Sequence, residues 1–74
     1  MIITQLEWTD WQDIKPRIIG GEELYLLYST EAPDLGKIVN IFNLKSVVAG
    51  RIPEHVIEHI ISTNDFALIE VEYD

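Results

Sequence analysis

His55, Glu58 and His59 are the residues whose types and spacing most readily suggest chemistry, in the segment His55-Val56-Ile57-Glu58-His59. Histidines four apart on a helix project from one side and can share a metal, with a nearby glutamate as base. The same string arises wherever an amphipathic helix carries Glu and His on its polar face. Glu70 and Glu72 alternate on one segment and could bind a cation or act as acid and base. Their ordinary role is the solvated face of an edge strand, where charge discourages edge-to-edge pairing. Trp8 and Trp11 flank a turn, and Trp is favoured at interaction hot spots because it buries much area and keeps a polar handle. Trp8 shares its parity with Ile2 and Leu6 and reads as core, which leaves Trp11 as the candidate anchor. Tyr25, Tyr28 and Tyr73 could line a recognition face, although tyrosine is common in strands.

The histidine string resembles the H-x-x-E-H motif of the inverted zinc peptidases, over five residues of 74. That resemblance implies a further acidic ligand on a second helix and a substrate cleft, for which so short a chain has little room. Catalysis is not expected, and a metal-binding protein using His55, Glu58 and His59 is kept as an alternative. With no cysteine there is no disulfide framework, thiolate site or cysteine nucleophile. Ser29, Ser46 and Ser62 lie outside any nucleophile elbow, and Gly20-Gly21 lacks the Lys and Ser/Thr of a phosphate loop. No cofactor fingerprint appears.

Charge is distributed unevenly. Residues 52–74 hold six carboxylates (Glu54, Glu58, Asp65, Glu70, Glu72, Asp74) and no Lys or Arg, within a net charge of −8. Residues 32–51 set Asp34 against Lys37, Lys45 and Arg51, too sparse a basic group for a nucleic-acid footprint. A negative pole repels nucleic acid and anionic membrane and attracts basic protein surfaces. The 47% hydrophobic content is ordinary for a globular domain and too high for a disordered acidic tail. The first residues lack a basic n-region, and no apolar run approaches the roughly 18–20 residues of a membrane span. A cytoplasmic protein is expected.

These residues must be held by a single small α+β domain. Residues 2–8 alternate as a half-buried strand, with Ile2, Leu6 and Trp8 on one side. Thr9 and Gln12 fit a capping box for a short helix over 10–15, limited by Pro16. Residues 23–29 are apolar on both faces, as suits a central strand or one completed by an interface. A turn at Pro33-Asp34 and Gly36 leads to a hairpin partner over 37–44. Residues 45–52 are ambiguous, since Val47-Val48 favours extended structure and Gly50 weakens either assignment. Residues 53–63 form the clearest helix, with Val56, Ile57, Ile60 and Ile61 inward and Glu54, His55, Glu58 and His59 outward. Residues 66–73 close the chain as a strand with Ile69, Val71 and Tyr73 opposite Glu70 and Glu72.

The order β-α-β-β-α-β permits a four-stranded, mainly antiparallel sheet with both helices on one face, either ferredoxin-like or a looser variant. The expected function is that of a small acidic interaction protein, not an enzyme. As an inhibitor or regulator it would dock Glu54, Glu58, Glu70, Glu72 and Trp11 on a basic partner, in the manner of a nucleic-acid-enzyme antagonist, an immunity-type protein or a phage-encoded protein. The alternative is a structural or regulatory subunit whose strand 23–29 is completed in a homodimer.

Overall fold

Asp10 starts the first helix. In the computed structural model, which describes residues 1–73, its backbone is extended and its carboxylate accepts from the Gln12 amide at 2.8 Å. Asp is as good an N-cap as Thr, and capping at residue 10 instead of Thr9 sets Trp11, Ile14 and Ile18 on one buried stripe. The helix, α1 (Trp11–Ile19), runs through Pro16 instead of ending there. Proline removes the amide that would have met the Gln12 carbonyl and its ring crowds that carbonyl, but burial of Ile14 and Ile18 on either side outweighs this local loss. A Schellman turn ends it: Glu22 N–H donates to Arg17 O and Gly21 N–H to Ile18 O, with Gly21 at φ 105°.

Four strands follow the expected positions: β1 (Ile2–Leu6), β2 (Leu24–Ala32), β3 (Gly36–Asn43) and β4 (Phe66–Glu72). They form one sheet in the order β1-β4-β2-β3, with every neighbouring pair antiparallel. Each helical connection therefore skips a strand, so the two βαβ units interleave. The ambiguous stretch is a single helical turn, α2 (Lys45–Val48), ended by a second Schellman pair, Arg51 N–H to Ser46 O and Gly50 N–H to Val47 O. The last helix, α3 (Glu54–Thr63), begins after Pro53 and ends at Asn64, whose N–H donates to Ile60 O.

All the fully buried residues gather in one cluster between the helices and one face of the sheet. Leu24, Leu26 and Leu68 from the strands meet Trp11, Ile14, Ile18, Leu44, Val47, Ile57 and Ile60. The register decides which residues of β4 look inward. Leu68 sits opposite both Leu6 and Leu26, so Phe66, Leu68, Glu70 and Glu72 face the helices. Ala67, Ile69 and Val71 face away. This reverses the expected faces of the last strand, and β4 is central, not an edge. A one-residue slip would exchange the two sets and put Leu68 outside, which the leucine row across β1, β4 and β2 forbids. Asp74, counted among the C-terminal carboxylates, lies outside the described residues.

Candidate functional site

The histidine motif lies where the helical pattern puts it. His55, Glu58 and His59 are all exposed on α3, and no group of three or more potential metal ligands occurs among the described residues. The His59 carbonyl accepts from the hydroxyls of Ser62 (2.9 Å) and Thr63 (2.7 Å), a local closure of the last helical turn.

The five residues expected to bind a partner are not brought together. Trp11 is only 4% exposed, so it is a core residue and not a surface anchor. Its ring stacks on Trp8 at 6.5 Å, and Trp8 in turn meets Phe66 edge-on at 6.2 Å. Parity alone could not show this, because α1 begins at Trp11 and turns it directly onto the core. Glu54 is tied to α1 through Lys15 at 3.1 Å. The nearby Trp11 indole N–H and then Lys15 hold its carboxyl below the ordinary range, although that N–H completes no well-formed hydrogen bond. Among the described residues, Glu58 and Glu72 make no ion pair.

Glu70 belongs to a different cluster. The Schellman turn folds Glu22 back beside Arg17, whose Nε and Nη2 each donate to its carboxylate at 2.8 Å. Arg17 Nη2 is 3.9 Å from Glu70, whose side chain is 14% exposed. The Glu22 carboxyl is drawn down to about 2 by its hydrogen bonds from Arg17 and with Glu70. Glu70 moves the other way, raised first by Glu22, then by burial and by the charges of Glu22 and Glu72, against the opposing pull of Arg17. One guanidinium does not neutralise both acids. Alongside, Lys45 Nζ donates to Glu23 Oε1 at 3.0 Å and the Tyr25 hydroxyl to Glu23 Oε2 at 3.2 Å. Tyr25 is pushed up to about 12 by its hydrogen bond with Tyr73, by burial and by Glu23.

Glu22, Glu23, Glu70 and Glu72 line one groove of about 670 Å³ at this end of the sheet, with Gly20, Gly21, Val71 and Tyr73 completing it. Glu22 and Glu23 were not singled out from the sequence. The usable signal was Arg17 near a helix end followed by Gly-Gly and two acids, since a Schellman turn returns the chain onto the last helical residues.

Among the described residues, no layer covers the other face of the sheet. Across it run Ile3 and Gln5 of β1, Val71, Ile69 and Ala67 of β4, Tyr25, Leu27 and Ser29 of β2, and Asn43, Ile41 and Val39 of β3. Ile41 is 70% exposed, Val39 63% and Ile3 59%. The chain is thus a two-layer α+β domain with an acidic groove at one end and an apolar sheet face. Compared with protein-family models, curated proteins and solved structures, it matches none.

Proposed function

We propose that this is a non-catalytic interaction protein that docks carboxylates on a basic protein surface and so inhibits or regulates its partner. The observation that carries the reading is the groove of Glu22, Glu23, Glu70 and Glu72, where Arg17 leaves Glu70 undercompensated. A Lys or Arg from a partner entering there supplies the missing charge and favours the ionised form of Glu70. Lys15, Arg17, Lys37 and Lys45 are each paired within the chain, and the net charge of −8 is what remains after all five Lys and Arg are counted. The docking set is therefore redrawn around the groove: Glu70 and Glu72 stay, Glu22 and Glu23 join them, and Trp11, Glu54 and Glu58, which do not line it, leave the set.

Fixed carboxylates of this kind compete for phosphate-binding surfaces and steer association. That fits an antagonist of a nucleic-acid enzyme, or an immunity-type or phage-encoded protein, acting in the cytoplasm. No helix among the described residues is long and apolar enough to cross a membrane. In architecture we read the looser variant of the split βαβ plan, because β2 and β4, which follow the helices, hold the centre of the sheet.

The test is capture of partners from the native host at low and high salt, followed by affinity measurement with the double reversal Glu70→Lys/Glu72→Lys. Binding to a basic protein should weaken steeply with salt and with the reversal. An affinity indifferent to both would sink the proposal.

A further inference from the structure

We infer that the open face of the sheet is an interface between two copies of this chain, packed sheet on sheet about a twofold axis. This goes beyond the acidic docking, because it uses the opposite side of the sheet from the helices and a different physical force.

The face has the make-up of an interface core. From Ile3 on one edge to Val39 and Ile41 on the other it presents aliphatic and tyrosine side chains with Gln5, Ser29 and Asn43, and no charged residue. Among the described residues, charged side chains lie at its ends, where Glu31 is opposite Lys37 and Glu23 is held by Lys45. An apolar centre with a polar rim is the usual anatomy of a specific interface.

The shape agrees. The molecule measures 40 × 29 × 22 Å with a radius of gyration of 12.8 Å, against about 11.3 Å for a compact chain of this length. Its accessible surface of 5005 Å² likewise exceeds the roughly 4,700 Å² of a closed monomer this size. Both values describe an open, elongated molecule, with the β2–β3 hairpin paired beyond the end of β4.

The area also suffices. Strand spacing and rise give a footprint of about 19 by 20 Å, and side-chain relief brings the accessible area to the order of 600 Å² per copy. That is at the lower limit of what each partner gives a specific interface, roughly 600–1,000 Å². A second copy supplies an equally apolar face at the ~10 Å sheet spacing. A twofold arrangement closes the assembly and prevents open-ended growth. The charge pattern favours this occupant over a basic one, since a cation finds no carboxylate inside the face. Two copies meeting here keep Glu22, Glu70 and Glu72 away from the contact, and the acidic groove touches it at the rim through Val71 and Glu23.

Sedimentation and light scattering across a dilution series test the inference, with methyl NMR of the wild-type protein as a second readout. The expected result is a species of twice the chain mass that dissociates on dilution. The methyls of Ile3, Leu27, Ile41 and Ile69 should shift while those of Ile14 and Ile57 stay still. Ile41→Glu and Val39→Glu, at exposed positions, should each weaken association by more than about a hundredfold, because each buries an unpaired charge in the interface. Glu58→Lys on α3 should leave association intact. Added salt should leave the dimer unchanged or tighten it by screening the repulsion of the two acidic copies. A strict monomer at high concentration overturns the inference, as does a dimer that both face variants leave intact or one that salt dissociates. A monomer whose sheet face instead shows shifts with a different protein overturns it too. Each of these outcomes leaves the acidic docking standing, since that is read from salt-weakened binding to a basic partner.

Discussion

Replacing Pro16 with Ala should stabilise the protein. Pro16 lies inside α1, five residues beyond Trp11, and its side chain is exposed, so truncation removes no core contact. Alanine restores an amide that can donate to the Gln12 carbonyl, a hydrogen bond of about 1 kcal/mol net. It also relieves the ring's clash with the same carbonyl, within a total of about 3 kcal/mol for an interior proline. Against this, the unfolded chain regains freedom that proline had removed, about 0.4–1 kcal/mol. The balance is a gain of about 2 kcal/mol, large against a total on the order of 4–11 kcal/mol for a domain of this length. The assay is urea unfolding followed by far-UV circular dichroism, with thermal melting in parallel. The midpoint should rise at constant slope, and Tm by roughly 4–8 °C for each kcal/mol. A neutral or destabilising result would mean that the helix in solution stops before Pro16. Arg17 would then not reach Glu22 and Glu70, and the account of the acidic groove would fall with it.

Three further outcomes follow from the groove and the turns. Below its ordinary value of 4.5, Glu22 progressively loses the stabilisation it provides, down to about 2; Glu70, being raised, works in the opposite sense and its charge is unfavourable at neutral pH. Glu70→Gln should therefore raise the unfolding midpoint at neutral pH and lose that advantage as the solution is acidified; a lowered midpoint at neutral pH would contradict the electrostatics. Tyr25 should ionise near 12, and Tyr73→Phe should bring it back toward 10, as followed by tyrosine ring NMR. Gly21→Ala should cost about 1–2 kcal/mol in urea unfolding, since φ there is 105° and no neighbouring atom would meet the added methyl.

Much of the fold was legible because the local signals agreed with one another. The two-sided apolar run Leu24 to Tyr28 is indeed a central strand, and the Pro53-to-Asn64 helix buries Ile57 and Ile60 as its stripe requires. Pro16 misled because a local rule was set against a tertiary one, and burial of Ile14 and Ile18 on a common stripe prevailed. Residues 45–52 were opaque because one helical turn has no period to detect; its markers were Asn43, whose side chain accepts from the Lys45 amide, and Gly50 at φ 76°. The faces of β4 were misassigned for a deeper reason. Ile69, Val71 and Tyr73 are collectively more apolar than Leu68, Glu70 and Glu72, yet the second set faces the helices. Hydropathy identifies the inner face of a strand only when the outer face is polar, and here the outer face is apolar as well. Arg17, waiting beside Glu70, is what makes an inward glutamate tolerable.

That reversal is what allows the two proposed surfaces to coexist. Had Glu70 and Glu72 pointed away from the helices, they would stand in the middle of the open sheet, and self-association would bury four unpaired carboxylates per dimer at a cost no small apolar area could offset. With Leu68 inward the acids lie on the helical side or at the groove, and the open face is left free of charge. Sheet-to-sheet pairing then presents two acidic grooves on one particle. A partner with two basic sites at matching separation would gain by avidity without any new contact. The dimer and the docking are accordingly separable by salt: screening weakens attraction to a basic partner, while it relieves repulsion between two acidic copies.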